Sequence, residues 1–289
     1  MRSHMTKAHI RESLPLLITF LVLAIAFYGL GYWLIFRLGR ATPLMMSVGV
    51  AAIVTLLIYR RPLASLGLAW GDSRYQWASY CIPLAIALVS YLLIWVSGVG
   101  DVNSDFASGL AETYNLAGWS VGALVLFHFC LSATLTLSLS IPSIVGEEIA
   151  WRGLLVTELS KSLSFKSVAL ITGVLWSMFH WPLMFKGFYG SEHTPLYYQM
   201  GLFTLFIVSN SVTMTYLRYK TNSVWSAVLF HASSNVFLQK VFTPFTTVDQ
   251  HSAWYVDEFG FVVPIVAFLC AIYFWIRANR EFGPAATHS

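Results

Sequence analysis

Charge is scarce in this sequence. Asp, Glu, Lys and Arg make up 10% of the 289 residues, against about a quarter in a soluble domain, which excludes an ordinary water-soluble globule. Cysteine is scarcer still. Cys81, Cys130 and Cys270 lie far apart in apolar stretches, which excludes a disulfide framework and a zinc knuckle. The apolar runs lack the polar/apolar alternation of membrane strands. The net charge of +4 is dispersed in ones and twos between those runs, so nucleic acid is not an expected partner. No internal repeat, low-complexity linker or cleavable signal is visible, and residues 1–289 read as a single membrane domain.

What is abundant is hydrophobicity: 57% of residues are apolar and the mean hydropathy is +0.68. Runs of about 20 apolar residues match a hydrocarbon layer about 30 Å thick. Backbone crossing that layer must satisfy its own hydrogen bonds, so the runs are expected to be helices. The expected fold is therefore all-α, a polytopic membrane bundle of about eight transmembrane helices. They fall near 14–36, 42–59, 77–98, a long fourth within 118–160, then 167–185, 196–217, 222–239 and 259–276.

Lys and Arg orient the bundle. With eight spans, thirteen basic residues collect on one side and four (Arg37, Arg40, Lys186, Lys240) on the other. Both termini are thus expected in the cytoplasm. The stretch 118–160 is long for one span. Splitting it would move the N-terminal basic cluster and Arg60/Arg61 outside, so a single span kinked at Pro142 is preferred.

Three islands of polarity interrupt the apolar runs. The first is Gly146-Glu147-Glu148-Ile149-Ala150-Trp151-Arg152. Glu148 and Arg152 are four apart and can pair on one helix face. Glu147, about 100° further round, has no obvious local partner, and a desolvated carboxylate suits general-base work on water. The structural alternative is an ion-pair cluster at a helix end. The second island places His180 one residue short of Trp181-Pro182; taken alone, it reads as a buried histidine bonded to a backbone carbonyl. In the third, His231 and Asn235 share a helix face, and the competing reading is interhelical hydrogen bonding. Counted from the flanking lysines at about 1.5 Å per residue, Glu147, His180, His231 and Asn235 come to similar depths in the bilayer. His128 reads as packing and Asn210 as helix–helix glue, His193 and His251 are loop residues, and His4, His9 and His288 are terminal.

Together, Glu147-Glu148-x-x-x-Arg152, Trp176-x-x-x-His180 and His231-x-x-x-Asn235 resemble the CPBP family, the CAAX-processing and bacteriocin-immunity (Abi) proteins that include type II CAAX prenyl endopeptidases. The resemblance covers roughly residues 118–240, the family's four-helix catalytic core. Residues 1–117, the N-terminal spans, and 241–289, the last loop, span and tail, carry no recognised motif. The resemblance implies that Glu147 is the general base, that His180 assists it, and that His231 and Asn235 hold the oxyanion, with Glu148 and Arg152 as support. One departure is Trp176, where the family usually has Phe. No cofactor is expected, since the best-studied members look metal-independent. The residues alone do not exclude zinc, for one carboxylate and two histidines could form an open site.

The expected function is an intramembrane endopeptidase acting on a membrane-associated or lipidated protein or peptide, with the lipid bilayer as its other partner. Two other classes compete: a proton-coupled transporter, because intramembrane Glu and His also mark proton paths, and a noncatalytic membrane scaffold or regulator. A peptidase requires the four polar residues to line one cavity.

Overall fold

The computed structural model describes residues 2–39 and 41–283, with side chains described from residue 13 onward. The side chains of Arg2, His4, Lys7, His9 and Arg11, and the whole of Arg40 and His288, lie outside that description. Among the described residues there are nine helices and no β-strand: α1 (Arg2–Leu38), α2 (Thr42–Ile58), α3 (Ser73–Ser97), α4 (Ser104–Tyr114), α5 (Val121–Ser160), α6 (Phe165–Phe185), α7 (Leu196–Thr221), α8 (Trp225–Val236) and α9 (Val262–Phe282). The molecule is a polytopic helical bundle.

Local chemistry sets many of the boundaries. Asp72, Asn103, Ser120 and Ser164 accept from backbone N–H groups in the first turns of α3, α4, α5 and α6, satisfying donors that a helix start leaves free. Helix α7 starts after Pro195 and stops at Asn222, whose φ of 50° is left-handed, a conformation Asn tolerates.

Six helices are long and apolar enough to cross a membrane, including Ser13–Leu38 of α1, α3, α5, α6, α7 and α9. Two of the eight expected spans fall short for different reasons. Helix α2 is apolar but has 17 residues. Helix α8 has 12, continued by a π-helical segment Phe237–Phe242, and it bears the polar third island. The stretch expected as one long span is a single continuous helix of 40 residues, Val121–Ser160. It carries Pro142 within it and is locally π-helical at Ser132–Thr136 and Ile149–Leu155. Helix α4 is an additional short helix in the acidic loop.

Helix α7 is central, with 67% of its most apolar window buried, whereas α1 is peripheral at 17%. The exposed apolar side chains of α1, such as Leu21, Val22 and Ile25, suit contact with lipid. Helix α2 packs along α1 and across α5, α8 packs on α3, α5 and α7, and α6 and α9 pack on α7.

One end of the bundle gathers the start of α1 and the ends of α5, α7 and α9. Ser13 donates to Glu158 at 2.8 Å, Lys220 pairs with Glu281 at 2.9 Å, and the Phe165 ring sits 5.9 Å from that of Phe282. The first and last spanning helices therefore have their terminal ends at the same face.

Candidate active site

The site grows from the point where α2 crosses α5. A Cβ on Gly49 would lie 2.0 Å from the Gly146 carbonyl oxygen, and one on Gly146 would lie 2.8 Å from Met46 Cα. Two glycines thus bring backbone against backbone, as small residues do between membrane helices. The contact fixes α5 one residue before Glu147. Immediately beyond Glu148, α5 becomes π-helical over Ile149–Leu155, a local widening that is frequent at functional sites.

The two adjacent glutamates take different partners. Glu148 and Arg152 are both fully buried, and Nη1 of Arg152 donates to each Glu148 oxygen at 3.0 Å. The expected i, i+4 pair is present. Glu148 Oε1 also accepts from His231 Nδ1 at 2.9 Å. A carboxylate can only accept here, so Nδ1 carries the proton and Nε2 is the remaining ring nitrogen.

Glu147 is fully buried as well, but it is not without a partner. Its Oε2 accepts from Trp176 Nε1 at 2.9 Å, a bond from α6 that spacing within α5 could not reveal. Its Oε1 has no hydrogen-bond partner among the described residues. The indole is a hub. The Arg152 guanidinium stands 4.2 Å from its ring centroid, the His231 ring is edge-on at 5.0 Å, and the Trp176 carbonyl accepts from His180 Nδ1 at 3.0 Å. That carbonyl belongs to the residue one turn before His180, and it leaves His180 Nε2 as the free ring nitrogen.

Glu147, His180, His231 and Asn235 all line one cavity of about 250 Å³. Its walls are otherwise largely aromatic and aliphatic, with Phe179, Phe203 and Phe230 among them. Further polar residues that the sequence reading did not assign to a site line it, Asn210, Gln239 and Glu258 among them. Asn210, expected as glue, lines the cavity, while its neighbour Ser211 makes the interhelical bond, to the Ala169 carbonyl at 2.9 Å. Glu258, from the loop before α9, and Gln239, beyond α8, line it as well. The signal for Glu258 is an acidic pair set among Trp254, Tyr255, Phe259 and Phe261, an unusual place for charge in an otherwise apolar segment. His128 is structural: it bonds Tyr114 at 2.7 Å and the Lys240 carbonyl at 2.8 Å, tying α5 to the segment after α8. His193 and His251 lie in loops.

The donor set also bears on zinc. Among the described residues no three His, Cys, Asp or Glu side chains are grouped so as to hold a metal ion. Glu148 is engaged by Arg152 and His231, and His180 Nδ1 by a backbone carbonyl.

Residues 129–237 match the family model described as Rce1-like, type II CAAX prenyl endopeptidase Rce1-like. No curated protein matches the chain. The matched segment runs from the third turn of α5 to the end of α8, carries all three motifs, and excludes the helices before α5 and the loop that bears Glu258. Residues 129–237 are thus similar to the CAAX-type intramembrane endopeptidases that the three motifs resemble.

Proposed function

We propose that this protein hydrolyses a peptide bond of a membrane-associated or lipidated protein or peptide, with Glu147 as the general base. The observation that carries the reading is the asymmetry of the Glu147 carboxylate. One oxygen is held by Trp176, and the other is buried, without a protein partner, on a residue that lines the cavity. Such an oxygen is oriented to accept a proton from water, and burial strengthens every polar interaction around it.

In this reading Glu147 takes one proton as the water oxygen attacks the scissile carbonyl carbon. The carbonyl π pair moves onto oxygen, and the resulting oxyanion accepts hydrogen bonds from the Asn235 amide and from protonated His231 at Nε2. Glu148 supports that protonated ring through Nδ1 and is itself balanced by Arg152. His180 assists Glu147 at its free Nε2. The C–N bond then breaks, and the proton first taken from water passes to the leaving amine. An amide donates without depending on a protonation state, and losing one such donor costs on the order of 10²–10³ in kcat.

The test is Glu147→Gln, measured by turnover per folded molecule and by membrane proteomics that follows protein termini. General-base catalysis contributes about 10²–10⁴-fold. A loss of that size with an unchanged melting temperature is expected, together with termini that vanish from the membrane fraction. Glu148→Gln is expected to lower stability first, because it leaves Arg152 buried without its partner. Wild-type turnover by well-folded Glu147→Gln protein would refute the assignment.

A further inference from the structure

The cavity has a second carboxylate. Glu258 is 4% exposed and comes from the loop between α8 and α9, outside the segment that matches the family model. Two neutral donors hold it in place. The Tyr189 hydroxyl donates to Oε1 at 2.8 Å and Gln239 Nε2 donates to the same oxygen at 2.9 Å. The Tyr189 ring is itself fixed, edge-on to Phe259 at 4.8 Å and 5.8 Å from the His180 ring. Both donors are spent on Oε1. Among the described residues no hydrogen bond reaches Oε2, and no lysine, arginine or histidine forms an ion pair with Glu258.

The rest of the lining matters as much. It contains Glu147 and Glu258 but no lysine or arginine. A buried carboxylate without a counter-charge is costly unless it is paired, and no lysine or arginine of the lining supplies one to Glu258. The cavity is also small, about 250 Å³, so both carboxylates act on one short bound segment. Such a pocket repels a substrate's terminal carboxylate and attracts an ammonium or guanidinium group.

We propose that Glu258 is a specificity residue that receives a basic side chain of the substrate, a lysine or arginine close to the cleaved bond. The inference rests on the peptidase reading above and names its substrate class. The substrate's N–H donors bind Oε2, and Tyr189 and Gln239 hold the carboxylate toward them. A charge-assisted hydrogen bond of this kind is directional and strong, so it sets the register of the peptide relative to Glu147.

The experiment uses full-length protein in lipid nanodiscs and a set of labelled apolar peptides. Each peptide carries lysine, its neutral isostere norleucine, or glutamate at one position along the segment. Binding is read by fluorescence anisotropy and cleavage separately by mass spectrometry. The expected result is one position at which lysine binds on the order of tenfold or more tighter than norleucine, with glutamate weakest. Glu258→Gln keeps an oxygen for Tyr189 and is expected to abolish the lysine preference while norleucine peptides bind as before. Glu258→Lys is expected to reverse the order of lysine and glutamate. Should either variant melt early, Tyr189→Phe, which retains the charge and loses one positioning donor, is expected to weaken the lysine preference without removing it. Equal affinity of lysine and norleucine peptides at every position, or no binding of any peptide, overturns the proposal. A lysine preference that depends on Glu258, with no peptide cleaved, supports it and counts against the peptidase reading instead.

Discussion

Trp176 shows how much one side chain decides at the residue scale. The family usually has a phenylalanine at this place, and a phenyl ring can face the Arg152 guanidinium but cannot donate to Glu147. The indole does both, at 4.2 Å and 2.9 Å. Trp176→Phe is therefore expected to retain the fold while freeing Glu147 Oε2. A hydrogen bond to a charged group is worth about 1.5–3 kcal/mol, so kcat is expected to fall by about ten- to a hundredfold if the bond persists into the transition state. Steady-state kinetics with a thermal melt would check this, and wild-type kcat at unchanged melting temperature would show that the bond orients nothing that matters. His231 and Asn235 point the same way because they are four residues apart on α8. The spacing was legible in the sequence; the bond of His231 to Glu148 was not, because it joins residues 83 positions apart.

At the scale of the element, the crossing of α2 and α5 carries the most weight. Gly49 and Gly146 leave no room for a methyl group at their contact. Gly49→Ala must push the helices apart, and overpacking of this kind costs about 1–3 kcal/mol. A lower melting temperature is expected, with reduced turnover per folded molecule, since Glu147 follows the contact directly. Gly29, in α1, has nothing within 4 Å of its would-be Cβ, so Gly29→Ala serves as the control and is expected to be neutral or slightly stabilising. Equal melting temperatures for the Gly49 and Gly29 variants would mean that the crossing yields freely. Helix α8 shows where apolar run length misleads as a guide to spans. Its 12 residues carry Ser226, His231, Ser233, Ser234 and Asn235, so it is less apolar than a lipid-facing span, and it is held by packing on α3, α5 and α7.

Across the whole molecule, the start of α1 and the end of α9 meet the same face. Reporters fused to the two termini are expected on the same side of the membrane, and from the thirteen-to-four split of basic residues that side is expected to be the cytoplasm. Opposite locations for the two reporters would break this topology. The other face holds the loop with Asp257 and Glu258. Burial, and then the charge of Glu258, push the Asp257 carboxyl well above its ordinary range. An acid whose folded value is raised binds its proton more tightly when folded, so this stability is complete below the unfolded value of about 3.9. It is lost as pH climbs from there through the raised folded value. Asp257→Asn removes the charge and keeps an oxygen to accept from Phe259 N, a 2.7 Å bond that closes the turn at φ 61°. The variant is expected to melt higher than wild type at pH 8 and equally at pH 4. A gain of the same size at both values would point to the turn rather than the charge.

The sequence by itself determined the membrane class, the helical fold, the unbroken run of α5, the Glu148–Arg152 pair and the residues of the three motifs. These follow from composition, run length and i, i+4 spacing, which are local properties of a chain whose backbone must close its hydrogen bonds within each span. Only the tertiary structure decided which glutamate oxygen stays free, that Trp176 holds Glu147 while Glu148 holds His231, that Asn210 turns to the cavity, and that a loop carboxylate reaches the same space. Those outcomes depend on how far each helix is rotated about its axis and on the path of the loop between α8 and α9. Rotation is set by close contacts such as Gly49 against Gly146, between residues distant in the chain, and spacing along one helix carries no information about its neighbour's face.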